Sequence, residues 1–247
     1  MTINYTINPE YSHLEETLRD LPNVFTSMGR LIYDGRNQVR AIQAEGMEMV
    51  VKKFKRPMLH QRIDYTFIRP SKARRAYTYG LRMLQLGIAT PTPIACIETY
   101  CHGLYTDGYL VTLYCPDPDM SILRTEHDVN PHLTAALMHF IVSMHLKGCL
   151  HGDTNLTNFL YHPDPSLPTG YAISTIDINR SHFIPHPTPH QCLHSLMRLT
   201  HQRPLLTNLV SQYAMLRGWD TEASVKTVIQ CLDRFEKTKQ LKNKLRK

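Results

Sequence analysis

Asp153 and Asn158 stand five residues apart in the stretch His151-Gly152-Asp153-Thr154-Asn155-Leu156-Thr157-Asn158-Phe159. A positioned carboxylate can accept the proton of a hydroxyl, and a carboxamide oxygen can hold a hard cation. A second carboxylate, Asp177, follows about one hairpin downstream in Ser174-Thr175-Ile176-Asp177-Ile178-Asn179-Arg180. Carboxylate, carboxamide and second carboxylate in this order form the layout of a phosphoryl-transfer catalytic loop followed by a metal-binding aspartate. That chemistry needs positioning and charge neutralisation more than covalent catalysis. On this reading Asp153 is the catalytic base, Asn158 and Asp177 hold Mg2+, and ATP is the donor. The blander alternative is a polar loop after a helix. The joint spacing, and the apolar run Ala172-Ile173-Ser174-Thr175-Ile176 that would deliver Asp177 from the end of a strand, favour the catalytic reading.

A phosphate-binding lysine should lie on a strand upstream. In Val50-Val51-Lys52-Lys53-Phe54 the candidate is Lys52, also counted as catalytic, with Lys53 as its rival. Period-two alternation puts Val50, Lys52 and Phe54 on one face, where Val50 would line the pocket for the nucleotide base. No G-x-G-x-x-G precedes this strand. Gly35, Arg36 and Asn37 occupy the turn between the first two strands, and a phosphate-cradling role and a plain hairpin turn remain open for them.

Three departures from a protein kinase bear on substrate and regulation. Gly152 stands where an arginine would pair with a phosphorylated activation loop, so that control is not expected. Asn155 replaces the lysine of protein Ser/Thr kinases, and no A-P-E follows Asp177, so the peptide-docking platform is missing. No Asp or Glu occurs between Asp64 and Glu98, and Ala76 occupies roughly the place of the helix carboxylate that would orient Lys52.

The elements that must carry these residues can be read from pattern. Residues 28–54 read as three short strands, with turns at Asp34-Gly35-Arg36-Asn37 and Ala44-Glu45-Gly46. Residues 71–86 read as a helix capped by Ser71 and ended at Gly87. Strands are expected near 92–98 and 109–114, and a hinge loop at 116–119. Asn130 should cap a helix with Pro131 in its first turn and Leu133, Leu137, Phe140, Ile141 and Met144 on its buried face. Further helices are expected at about 190–217 and 221–246, the last with Val225, Val228, Ile229, Leu232 and Phe235 as its stripe. The expected fold is α+β and two-lobed. It has a small antiparallel-sheet N-lobe for the nucleotide over 1–115, and a mainly helical C-lobe with the catalytic loop over 116–247.

Composition sets the environment. Hydrophobic residues make up 42% and charged residues 20%, as in a globular protein, and no apolar run approaches a membrane span. The N-terminus lacks the basic and apolar regions of a secretory signal. Cys96, Cys101, Cys115, Cys149, Cys192 and Cys231 form no C-x-x-C pair and read as reduced thiols of a cytosolic protein. The net charge is +7, and residues 237–247 hold six Lys or Arg and no acid. A second basic concentration, residues 52–75, has nine Lys or Arg against Asp64 alone. The implied partner is anionic, a phosphorylated lipid or membrane surface. Nucleic acid is not expected, because aromatic–basic interleaving is sparse. The tail, with Leu241 and Leu245, reads equally as a membrane contact or a solvated helix end. His182, His186, His190 and His194 recur every four residues, but Pro185, Pro187 and Pro189 rule out a helix over the first half of that stretch, so a polar loop after Asp177 is preferred to a zinc site.

Several pieces in order over about residues 29–183 carry a family likeness. They are Gly35-Arg36-Asn37, the strand around Lys52, Ser71-Lys72-Ala73-Arg74-Arg75, Gly87-Ile88-Ala89-Thr90-Pro91-Thr92-Pro93-Ile94-Ala95, residues 151–159 and Ile176-Asp177-Ile178-Asn179-Arg180. With these the chain resembles the lipopolysaccharide core kinases, the group that includes 3-deoxy-D-manno-octulosonic acid (Kdo) kinases. The resemblance implies a protein-kinase-like fold, ATP and Mg2+, and a sugar hydroxyl of the lipopolysaccharide inner core as acceptor. It also implies work at the cytoplasmic face of a Gram-negative inner membrane, as a peripheral protein. Two other readings stay open: a RIO-like or small-molecule kinase, and a pseudokinase that serves as a binding module.

Overall fold

The computed structural model describes residues 1–125 and 130–244. The expected tail residues Leu245, Arg246 and Lys247 lie outside them. The chain divides into two compact units, Met1–Pro116 and Asp117–Lys247.

The first unit is built on six antiparallel strands: β1 (Thr2–Ile7), β2 (Arg30–Asp34), β3 (Gln38–Ala44), β4 (Met47–Lys53), β5 (Pro93–Cys101) and β6 (Leu104–Leu113), in the spatial order β1-β5-β6-β4-β3-β2. The two expected turns, at 34–37 and 44–46, connect β2 to β3 and β3 to β4. β1 was not foreseen. It pairs with β5, from Thr2 opposite Tyr100 to Ile7 opposite Ala95, a contact nearly a hundred residues away in sequence. Short helices α1 (Glu15–Arg19) and α2 (Leu21–Val24) then lay Leu14, Leu18, Leu21 and Phe25 on one sheet face, against Met49, Val51 and Val111. Helix α3 (Leu59–Phe67) was also unforeseen.

Helix α4 (Lys72–Gln85) packs on the other sheet face. Ser71 is its N-cap, accepting from the Arg74 backbone N–H at 3.1 Å, as its position before the helical pattern predicts. Ala73, Ala76 and Tyr77 meet Phe54 and Cys96 beneath the helix. Small residues at 73 and 76 let the helix settle close to the sheet.

The second unit is mainly helical. α5 (Pro131–Leu146) is capped by Asn130, whose Oδ1 accepts from the His132 and Leu133 amides. It is buried nearly all round, beyond the single face expected: Thr134, Ala136, Met138 and Val142 are buried along with Leu133, Leu137 and Ile141. Next come β7 (Cys149–Leu150), the hairpin β8 (Phe159–Pro163) and β9 (Tyr171–Thr175), and β10 (His182–Phe183), which returns to pair with β7. The single helix expected over 190–217 is two: α6 (Pro189–Leu196) and α7 (Arg203–Arg217). Pro204 at the start of α7 lacks the amide that a continuous helix needs, so the chain turns between them. α8 (Thr221–Lys244) buries Ser224, Val228, Cys231 and Leu232 and is exposed from Lys237 onward.

All six cysteines are free thiols, four of them buried and Cys101 exposed. Among the described residues no helix is long and apolar enough to cross a membrane.

Candidate active site

Three of the expected site residues lie together in the second unit, on the loop after α5 and the turn after β9. His151 organises them. Fully buried, it accepts from the Asp153 backbone N–H at Nδ1 (3.2 Å) and donates from Nε2 to the Ile176 carbonyl (2.9 Å). These partners select the neutral Nε2–H tautomer, and burial holds its pKa below the ordinary imidazole value. One ring thus ties the backbone of Asp153 to the residue preceding Asp177.

Asn158 makes the second tie. Its Nδ2 donates to the Asp153 carbonyl at 2.9 Å, and its own carbonyl accepts from the Ile176 N–H (2.9 Å) and the Thr175 hydroxyl (3.0 Å). With Nδ2 so engaged, the amide oxygen is the end available to a cation. Asp177 adopts a left-handed conformation, φ 55° and ψ 41°, and its Oδ1 accepts from Asn179 Nδ2 at 2.7 Å. A non-glycine residue in that region is uncommon, and an aspartate tolerates it better than most. Two hard oxygen donors suit Mg2+, which takes few protein ligands and completes its shell with phosphates and water.

The Asp153 carboxylate is gripped by two arginines. Arg198 Nη2 lies 3.1 Å from one oxygen and Arg180 Nη1 3.5 Å from the other. Arg180 belongs to the motif around Asp177, whereas Arg198 was not singled out from sequence. Its signal was there: Arg198 continues the four-residue spacing of His190 and His194. The guanidinium of Arg198 also lies over the Phe235 ring of α8, 5.4 Å from its centroid.

Gly152 has a steric reason to replace arginine. Its φ is 74°, and a Cβ there would come within 2.2 Å of the Arg180 carbonyl oxygen. The close passage of the Arg180 backbone, secured by the Ser181 hydroxyl donating to the His151 carbonyl (3.2 Å), requires a residue without a side chain.

Beside this loop the second unit holds a cavity of about 600 Å3, lined among others by Gly152, His182, His190, His194, Arg198 and Phe235. His190 and His194 lie on α6 with rings stacked at 6.1 Å, and Thr188 caps that helix. His190 and His194 thus lie on the helix expected from about residue 190, past the prolines. Among the described residues no group of three or more His, Cys, Asp or Glu side chains is placed to hold a metal ion.

The remaining expected residues lie in the first unit. Lys52 and Val50 are on β4, both half-buried. Lys52 Nζ lies 5.3 Å from the Phe54 ring centroid, on the sheet face that carries α4. Lys53 points the opposite way, over Phe25 and Tyr109. The alternation read from sequence therefore separates the two lysines as expected. Gly35, Arg36 and Asn37 form the β2–β3 turn, where Gly35 N–H donates to the Asn37 carbonyl and the Asn37 side chain accepts from the Lys55 amide.

The helix carboxylate absent from the sequence has a structural counterpart of opposite sense. Ala76 packs in the core under α4, and the helix instead projects Arg74, which binds the buried Glu98 of β5 through Nη2 (2.5 Å) and Nε (2.9 Å). The helix supplies the cation and the strand the carboxylate. Removing Arg74 would leave the Glu98 carboxylate buried and uncompensated, a loss of about 3–5 kcal/mol.

No family model and no curated protein matches the sequence. Solved structures are similar to it. WaaP in complex with acyl carrier protein is 16% identical, with a TM-score of 0.60 over 95% of this chain and 97% of that one. The Rio2 kinase–ADP/Mg2+–phosphoaspartate complex from Chaetomium thermophilum is 13% identical, with a TM-score of 0.48 over 97% of this chain and 82% of that one. The fold is the two-lobed protein-kinase-like fold that the resemblance to lipopolysaccharide core kinases led us to expect.

Proposed function

We propose that this protein is an ATP- and Mg2+-dependent kinase that phosphorylates a sugar hydroxyl of the lipopolysaccharide inner core, on a Kdo–lipid A type acceptor. The observation that carries the reading is the hydrogen-bonded knot of His151, Asp153, Asn158 and Ile176, which sets the first carboxylate, the carboxamide and the second carboxylate on adjoining turns.

In this reading Asp153 accepts the proton of the attacking hydroxyl, and Arg180 and Arg198 hold its carboxylate in one rotamer. Asn158 and Asp177 hold Mg2+, which when bound neutralises the charge of the transferring phosphates. Lys52 contacts the nucleotide phosphates and Val50 its base, with the Gly35-Arg36-Asn37 turn beside them. The cavity next to Gly152 and Arg198 takes the acceptor. Its one arginine and three histidines offer donors to an anionic sugar, and Phe235 offers an apolar wall.

A second reading, a pseudokinase that serves as a binding module, draws on one observation: α4 carries no acid that could orient Lys52. Purified protein with labelled ATP, Mg2+ and Kdo–lipid A, read by mass spectrometry, separates the two. A product heavier by one phosphoryl group supports the kinase. Nucleotide binding with no product on this acceptor, on free sugars or on protein supports the module. Label on protein or on a soluble metabolite instead moves the acceptor out of the lipopolysaccharide class.

A further inference from the structure

The first unit exposes an apolar row that its own fold does not use. Met58 is 71% exposed, Leu59 60%, Ile63 43%, Phe67 74% and Ile68 75%, all within eleven residues on and around α3. Leu59, Ile63 and Phe67 are spaced by four, so they fall within an arc of roughly 80° on the helix. Tyr65 is buried on the side turned inward, and Arg62 Nε anchors the helix by donating to the Tyr105 carbonyl at 2.6 Å. The row is therefore the outer face of a well-seated helix rather than a loose end.

Charge surrounds it. Residues 52–75 carry nine Lys or Arg and a single acid. Arg56 and Arg69, which flank the helix, are exposed with their guanidinium groups on Asp107 and Asp64, and Lys55 is exposed before it. A row of large apolar side chains on a short helix, with basic residues outnumbering the acids that pair with them (Asp64 and Asp107), is the composition of an interfacial anchor. The apolar residues enter the boundary between headgroups and acyl chains, while the cations meet anionic headgroups. An exposed apolar patch of this kind on a single chain marks an interaction surface. The excess of positive charge selects an anionic bilayer over a neutral one.

We propose that α3 and its flanks, Met58 to Ile68, form the face by which this protein docks on an anionic lipid bilayer. The proposal deepens the kinase reading and rests on it for purpose, since a lipid-anchored acceptor has to be met at a bilayer. Its evidence, the exposed row and its charges, is independent of any catalytic residue.

The test is co-sedimentation of the full chain with vesicles of phosphatidylcholine alone or mixed with phosphatidylglycerol. It compares wild type with the double variant Ile63→Ser/Phe67→Ser, which leaves every charge in place. The wild type should pellet with the anionic vesicles, less so at high salt. The double variant should partition at least about tenfold more weakly, with an unchanged melting temperature. Equal partition of the two proteins overturns the proposal, as does absence of wild-type binding to anionic vesicles. A double variant that loses self-association in sedimentation velocity but binds vesicles normally would assign the face to a second copy of the chain. Phosphoryl transfer to a delipidated acceptor is measured alongside. If that fails in both proteins while vesicle partition still drops, the kinase reading falls and the docking face stands.

Discussion

Replacing Gly152 with alanine tests how the candidate catalytic loop is built. Two costs arise there. A left-handed φ of 74° disfavours any L side chain by about 1 kcal/mol. The new Cβ would also stand 2.2 Å from the Arg180 carbonyl oxygen, and ordinary contact begins at 3.4 Å, so the turn carrying Arg180 must retreat by about 1.2 Å. That retreat strains the Ser181–His151 hydrogen bond and the two-residue pairing of β7 with β10. Together the two costs come to about 3 kcal/mol, a fall in Tm of roughly 6–12 °C for a chain of this size. Gly46→Ala supplies the control, because Gly46 has φ 76° but nothing within 4 Å of the place its Cβ would take. It should lose about 1 kcal/mol, or roughly 2–4 °C. Scanning calorimetry of the three proteins measures both. Equal shifts for the two variants would refute the claim that close passage of the Arg180 backbone excludes a side chain at 152.

Three further outcomes are expected. Asp177→Asn, chosen because asparagine tolerates the left-handed backbone at φ 55°, should keep the fold and weaken Mg2+-dependent ATP binding at least about tenfold. Calorimetric titration with and without Mg2+ reads this, and unchanged affinity would remove Asp177 from the metal site. His145, buried against Tyr213 and Ser195, has its pKa pushed down from 6.5 to about 3, and His151 is shifted the same way by burial. Both stay neutral in the folded chain, while the unfolded chain takes up protons below 6.5. Stability is thus fully present above that value and falls on acidification towards the folded pKa, by up to about 1.4 kcal/mol per pH unit per histidine. His145→Gln should remove one proton's worth of that slope in urea unfolding between about pH 6 and pH 4, and an identical slope would contradict the assignment. Deleting residues 237–247 should leave Tm within about 2 °C, because among the described residues the last side chain of α8 in an ion pair is Glu236, which binds Arg203 and His201, and residues 237–244 are exposed. A larger drop would show that the exposed end of α8 carries stability.

How much was legible in sequence depended on the range of the interaction. Local chemistry was readable: Ser71 and Asn130 cap their helices, and the turns at 34–37 and 44–46 join strands. The alternation that separates Lys52 from Lys53 is also a local property. What was missed depends on distant partners. β1 shows apolar Ile3, Tyr5 and Ile7 at strand spacing, but its pairing with β5 cannot be read from six residues. The break between α6 and α7 has a local sign in Pro204, yet the periodicity of the flanking leucines ran across it. α3 escaped because its apolar residues face outward, so it has no buried stripe to announce it. At the site, the order Asp153, Asn158, Asp177 was plain, whereas Arg198 acquires meaning only when α6 delivers it to Asp153. The inverted pair Arg74–Glu98 was likewise invisible, because its two members sit on separate elements and meet only when α4 packs on β5.

The central claim is that Asp153 takes a proton from an acceptor hydroxyl during phosphoryl transfer. The most direct test is Asp153→Asn, assayed for transfer from labelled ATP to Kdo–lipid A and, separately, for ATP binding. The account predicts turnover lower by at least about a hundredfold with nucleotide affinity close to wild type, since the carboxamide keeps the shape and loses the base. Near-wild-type turnover in the variant would contradict it.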